Sequence, residues 1–255
     1  MSRSPLIFQA LPGIPEIEPG ADLPRLIIEA LAAVRIVLAE GDVLVVAQKI
    51  VSKCEGRYLD LRTIEPSARA MEIAAELDKD PRLVEAVLAE SSAVIRSAHG
   101  VLITRHRLGL VMANAGIDRS NLASHAGEDT VLLLPSDPDE SARRLRQGIL
   151  SRSGVAPGVV ISDSFGRPWR LGVVNIALGA AGITPLKDLR NVPDRVGRRM
   201  QSTSVAIADA IAAGAGLAMG ETGESTPVIH VRGLEYRGDG AARELIRPAD
   251  QDLFL

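Results

Sequence analysis

Short aliphatic runs that end in polar loops constrain this chain most. Val43-Leu44-Val45-Val46-Ala47 runs into Gln48-Lys49-Ile50-Val51-Ser52-Lys53. Val159-Val160-Ile161, bounded by Pro157-Gly158, runs into Ser162-Asp163-Ser164-Phe165-Gly166-Arg167-Pro168-Trp169-Arg170. Runs of this length, bounded by turn residues, read as strands buried on both faces. The longer apolar stretches are broken by glycine, proline or charge before the ~18 residues a membrane span requires. Aromatic residues are 2% of the chain and apolar residues 46%, so the core is packed from Leu, Val, Ile and Ala. A net charge of −3 supplies no concentrated basic surface for a nucleic acid. With so few rings, single strands have little to stack on. The single cysteine, Cys54, excludes an internal disulfide and a thiolate zinc cluster. The N-terminus lacks a basic-then-apolar leader, so a cytoplasmic protein is expected.

The pattern between these strands is mixed. Leu6-Ile7-Phe8 reads as a strand entering the rigid turn Leu11-Pro12-Gly13-Ile14-Pro15. Asp22 is placed to cap a helix from Leu23 to Ala39, stopped by Gly41. Helices are predicted from Pro66 to Leu77, from Arg82 to Ala89, and from Asp137 to about Ser151. Three short strands, Val94–Arg96, Val101–Thr104 and Leu110–Met112, turn at His99-Gly100 and near Gly109. An Ala-rich helix from Val205 to Met219, capped by Ser202 or Thr203, precedes a final strand, Pro227–Val231. The stretch from Leu171 to Ile183 fits no period. A meander beside βα units predicts an α+β fold with mixed, largely antiparallel sheets and flanking helices, in one catalytic unit that could comprise two interleaved lobes.

Several chemistries lack their motifs. There is no G-x-x-x-x-G-K-[ST] loop and no G-x-S-x-G elbow. The four histidines show no ligand spacing. Gly214, Gly216 and Gly220 nearly match a dinucleotide fingerprint but lie in a helical run, where close packing explains them better. The polar loops at 11–15, 48–57, 114–121, 162–170 and 219–226 together hold the acids Asp118, Asp163 and Glu221. They also hold the cations Lys49, Lys53, Arg57, Arg167 and Arg170. Hard oxygen ligands for a divalent metal beside cations for phosphate are what phosphoryl transfer requires. A metal-dependent phosphohydrolase, or a nucleotide-binding module without turnover, would use the same set. Solvated lysines, an Asx turn at Asp118 and a structural Arg–Asp turn at 162–170 are the plainer readings. Trp169 is read as a packing wedge, and Arg143, Arg144 and Arg146 as a solvated helix face.

Four segments in order carry a family resemblance: Leu11-Pro12-Gly13-Ile14; Gln48-Lys49-Ile50-Val51-Ser52-Lys53 with Glu55-Gly56-Arg57; Asn114-Ala115-Gly116-Ile117-Asp118-x-Ser120-Asn121; and Ser162 to Arg170. Over nearly the whole chain the sequence resembles the coenzyme F420-0:L-glutamate ligases. The resemblance implies a homodimeric enzyme of coenzyme F420 biosynthesis. It would add L-glutamate to the lactyl-phosphate tail of a deazaflavin, F420-0 or its dehydro form, using GTP, Mg2+ or Mn2+ and potassium. Leu11, Pro12, Gly13, Ile14, Gln48, Lys49, Lys53 and Asn121 would contact the nucleotide. So would Met219, Gly220, Glu221, Thr222, Gly223, Glu224, Ser225 and Thr226. Asp118, Asp163, the Ser164 hydroxyl and Glu221 would bind metal. Lys53 and Arg167 would stabilise charge developing on an acyl phosphate. Two departures stand out: Ser164 replaces a common threonine, and the 221–226 loop is less like the family. Relatives with a fused flavin-binding second domain are longer than this chain.

Overall fold

A computed structural model describes residues 5–119, 127 and 129–252. The larger lobe is built on strands β1 (Ile7–Ala10), β2 (Val43–Ala47), and, later in the chain, β8 (Gly158–Arg167), β9 (Arg170–Ala181) and β12 (Val228–Arg232). They form one sheet in the order β1-β12-β2-β8-β9. Only the β2–β8 pairing is parallel; the neighbours β12–β2 and β8–β9 are antiparallel. Helices α1 (Leu23–Ala33) and α5 (Pro138–Ser153) cover one face, and α6 (Ile207–Met219) covers the other.

The sheet explains the continuous aliphatic runs. Leu44, Val46, Val159 and Ile161 pack toward α1 and α5, whereas Val43, Val45 and Val160 pack toward α6. A strand covered on both faces needs apolar residues at every position. The glycines of α6 allow its close approach. A Cβ at Gly214 would lie 2.6 Å from the Phe8 ring, and one at Gly216 would lie 2.8 Å from the Asn175 side chain. Packing, not dinucleotide binding, therefore accounts for that near-match.

The smaller lobe is inserted between α2 (Gln48–Cys54) and α5. It holds β3 (Tyr58–Asp60), α3 (Ala68–Leu77), α4 (Pro81–Ala89), β4 (Ser91–Ala98), β5 (Val101–His106), β6 (Val111–Ala113) and β7 (Thr130–Leu132). Strands β4-β5-β6 form the predicted meander, with His99 and Gly100 at positive φ in its first turn. Strands β10 (Leu186–Asp188) and β11 (Ser204–Ala206) form a separate ribbon before α6. Mixed, largely antiparallel sheets with flanking helices are thus what the chain forms.

Four expectations are corrected. Asp22 caps α1 by accepting from the Arg25 N–H, but the helix ends at Ala33, because Arg35 adopts a left-handed φ of 59°. Ser202 and Thr203 do not cap α6, whose N-cap is Ala206. The 162–170 segment is not a loop after a strand. It is the continuation of β8 beyond Ser162, where β2 ends, paired with β9 alone. Trp169 sits at the tip of this hairpin with φ 58° and 81% exposure, so it is no packing wedge.

One carboxylate braces the smaller lobe. Glu90, at the end of α4, lies 3.4 Å from Arg57, 3.1 Å from Arg107 and 3.3 Å from Nε2 of the fully buried His106. His106 Nδ1 accepts from the Leu108 N–H, which leaves Nε2 to carry the proton toward Glu90. Arg57 also donates to the Leu134 carbonyl, and Arg107 to that of Ser136. His106 and the two arginines hold the Glu90 carboxyl down at about 2. Because this pKa is depressed, its contribution is present above the unfolded value near 4.5 and lost as pH falls toward 2. Glu90→Gln is expected to cost about 3 kcal/mol at pH 7. Urea unfolding should show this cost vanishing for the most part between pH 4.5 and 2.

Candidate active site

A cavity of about 500 Å3 opens where β2 and β12 stop and the β8–β9 hairpin continues. Its floor comes from α2, which follows β2 with no intervening loop: Ala47 is both the last strand residue and the helix N-cap. The first turn of α2 therefore presents Gln48 and Lys49 directly beyond a strand end. Gln48 is buried and donates to the Ser52 hydroxyl at 2.6 Å. Lys53, only 5% exposed, is ion-paired with Glu16, and this contact ties the 14–17 segment to α2.

The smaller lobe delivers Asp118 through a tight turn. Asn114, Ala115 and Gly116 all have left-handed φ values, at 49°, 52° and 67°. Consecutive residues in that region carry strain of ~1–2 kcal/mol for each non-glycine. Glycine is required at the third, where a Cβ would lie 2.5 Å from Met112. The chain then pairs with β7, the Asp118 N–H donating to the Leu132 carbonyl and the Asp118 carbonyl accepting from the Leu132 N–H. Asp118 Oδ2 lies 2.7 Å from Lys49 Nζ, an ion pair that crosses between the lobes.

Asp163 and Ser164 enter from the hairpin ribbon, and Glu221 from the loop after α6. Gly220, at φ 76°, turns the chain there, and Glu224 accepts from the Thr222 N–H at 2.8 Å. The Thr226 hydroxyl donates to the Met219 carbonyl at 3.0 Å and closes the loop onto the helix end. Burial pushes the Asp163 carboxyl up to about 7, against the Ser164 N–H and Lys49, which favour its charge. The charges of Asp118 and Glu221 raise it further. Asp118 and Glu221 are thus near enough to act on the charge of Asp163, with Lys49 opposing them, although among the described residues no three acids are grouped closely enough to hold one metal ion. Close by, the Ser162 hydroxyl is buried with no hydrogen-bond partner. Oxygen donors that repel one another, beside an unsatisfied hydroxyl, suit a hard divalent cation and the phosphate it carries.

Ile14, Gln48, Lys49, Lys53, Asp163, Ser164 and residues 219–226 line this cavity. Asp118 reaches it through Lys49. Leu11 is fully buried in the core, and Pro12 and Gly13 are exposed outside the lining. The Arg167 guanidinium donates to the Leu171 carbonyl within its own hairpin at 3.0 Å. Arg57, read from sequence as an anion-binding cation, instead belongs to the Glu90 strut. Asn121 falls outside the described residues.

The sequence reading missed Asn175 and Glu16. Asn175 is buried on β9, opposite Ser164 in the register, and its side chain lines the cavity. A lone asparagine within Val173–Ile183 was the available signal, since a polar residue in a buried run needs a partner.

The family model described as F420-0:Gamma-glutamyl ligase matches residues 13–233. The chain belongs to this family. It is 42% identical over 245 residues to the Coenzyme F420:L-glutamate ligase of Methanothermobacter thermautotrophicus, covering 95% of this chain and 96% of that protein. It is 43% identical over 244 residues to the protein of that name from Methanopyrus kandleri, covering 94% and 93%. The Archaeoglobus fulgidus protein of that name is 42% identical over 242 residues, covering 95% and 93%.

The strained charge of Asp163 has a measurable consequence. Its folded pKa lies above the unfolded value of 3.8, so the fold loses stability as pH rises from about 4 to about 7. Asp163→Asn removes that loss. In metal-free protein at pH 8 the variant is expected to be more stable than wild type, by at most about 4 kcal/mol, in denaturant unfolding. At pH 4 the difference should disappear.

Proposed function

We propose that this protein is a GTP-dependent ligase that joins L-glutamate to the tail carboxylate of coenzyme F420-0 or its dehydro form. The observation that carries this reading is Asp163, its charge opposed by burial and by Asp118 and Glu221 and favoured by Lys49, in a cavity that the loop 219–226 lines. Membership of the family supplies the acceptor and the amino acid.

A carboxylate does not react with an amine until one of its oxygens becomes a leaving group. In the proposed sequence the tail carboxylate attacks the γ-phosphorus of GTP, and GDP departs. The glutamate α-amine then attacks the acyl carbon, loses its proton, and phosphate leaves. Asp118, Asp163, Glu221 and the Ser164 hydroxyl would hold Mg2+ or Mn2+, which supplies charge neutralisation for the phosphates. Potassium is a further proposed ion. The buried Gln48 and the α2 lysines would position the nucleotide, with Met219 as an apolar wall. Lys53 would stabilise the charge that develops on the transferring group. Arg167 joins it only by exchanging the Leu171 carbonyl for phosphate. A homodimer is proposed as well, and the hairpin's exposed Trp169 and Leu171 (98% exposed) are apolar surface for it to cover. Among the described residues no helix is long and apolar enough to cross a membrane.

The test incubates the protein with GTP, L-glutamate, Mn2+ and F420-0, and follows mass. The expected result is glutamyl addition that requires GTP. With 18O in the tail carboxylate, one label should appear in the released phosphate. Asp163→Ala should lower turnover by at least about a hundredfold, the scale of losing a major electrostatic stabiliser. GTP hydrolysis that proceeds equally without F420-0 and glutamate would instead indicate a phosphohydrolase.

A further inference from the structure

A second, larger cavity lies on the far side of the same hairpin. It measures about 650 Å3 and shares no lining residue with the first. Its walls are the β5–β6 turn, the outer edge of β9 and the C-terminal segment that follows Ala242. Leu108, Leu110, Ile176 and Leu178 give it apolar faces, continuous with a cluster that includes Met112, Leu134 and Phe165. Polar and charged residues also line it, Arg107, Asp137, Arg243 and Arg247 at its rim among them, and two are set beside the apolar faces, Arg105 and Asp209. Among the described residues the Arg105 guanidinium has no hydrogen-bond or ion-pair partner. Asp209 uses one oxygen to accept from the Ala177 N–H at 2.9 Å. Burial pushes its carboxyl above the ordinary range.

The register relates this cavity to the acids. Ile176 is the cross-strand partner of Asp163, so both side chains stand on one face of the hairpin. β9 is the edge strand, and its outer side borders the second cavity. A ligand with its carboxylate beside Asp163 therefore has to cross only about one strand spacing, ~5 Å, to place its other end among these walls. The substrate proposed above has that shape: a flat tricyclic ring at one end, a phosphate-linked carboxylate at the other. A cavity of several hundred Å3 with apolar walls and a few convergent polar groups suits such a ring system. Asp209 is placed to accept from a ring N–H, and Arg105 to donate to an electron-rich ring oxygen.

We propose that the second cavity binds the deazaflavin ring of the acceptor substrate, with Arg105 and Asp209 as its polar recognition groups. This assignment rests on the ligase reading for the identity of the ring.

The probe is the deazaflavin chromophore bearing only its ribityl chain, with neither phosphate nor lactate. Binding is followed by fluorescence anisotropy, without nucleotide or glutamate. Wild type should bind it. Arg105→Ala and Leu108→Trp should each weaken binding by about tenfold or more, about the loss of one buried polar contact or of the volume the ring fills. Both variants should bind a fluorescent GTP analogue within about twofold of wild type, the check that they are folded. If one variant fails that check, the other decides. No binding by wild type, or unchanged binding in the folded variants, overturns the assignment. Glutamyl addition to intact F420-0 is measured in parallel. Its presence alongside unaltered chromophore binding rejects the cavity and keeps the ligase. Chromophore binding that the variants abolish, without glutamyl addition, rejects the ligase reading and keeps the cavity as a ring site.

Discussion

A carboxylate whose surroundings disfavour its charge is an unfavourable arrangement, and several elements of this structure combine to impose it on Asp163. Asp163 is held near neutrality by burial, with Asp118 and Glu221 adding repulsion. Each acid comes from a different element. Asp163 rides on a strand that has left its sheet, Asp118 on a left-handed turn, and Glu221 on a loop pinned by Gly220. Lys49 compensates only part of the negative charge through its pair with Asp118. Under the proposed function, a cation arriving with a nucleotide would relieve the repulsion, as an ion's own charge reverses local electrostatics.

The two lobes have to stay in register for this to work. Lys49 belongs to the larger lobe and Asp118 to the smaller, so their 2.7 Å separation depends on how the lobes meet. Within the smaller lobe, Glu90 gathers Arg57, His106 and Arg107 and braces the segment that carries Asp118. Arg57 does a second service, because its carbonyl accepts from the Leu133 N–H next to the strand that pairs with Asp118. At the other side, carboxylates finish the sheet. Asp209 and Asp139 accept from the Ala177 and Ala180 N–H groups of the edge strand. Asp139 also accepts from the Ala242 N–H and so anchors the segment that walls the second cavity.

Elements governed by local chemistry were legible in the chain. The β2 strand, the meander turns and the Asp22 cap follow from side-chain pattern and backbone preference within a few residues. The 162–170 segment was legible as functional but not as strand. Ser, Asp, Gly and Arg on a two-stranded ribbon outside the main sheet lack the apolar pattern that marks a buried strand. The same ribbon concealed the 171–183 partner and, with it, Asn175. Arg57 was misread because its partner Glu90 lies 33 residues away and nothing local announces the contact. The early end of α1 depends on Arg35 adopting a conformation that propensity disfavours. The second cavity is a property of tertiary placement alone, assembled from five separated segments.

The proposed function depends most on a cation held by Asp118, Asp163 and Glu221, which would have to draw closer together to share it. Mn2+ titration of the purified protein with GDP, followed by electron paramagnetic resonance of the free ion, measures this directly. The account predicts saturable binding that Asp163→Asn weakens by about tenfold or more, with Asp118→Asn behaving alike. Mn2+ binding unchanged in both variants would contradict it.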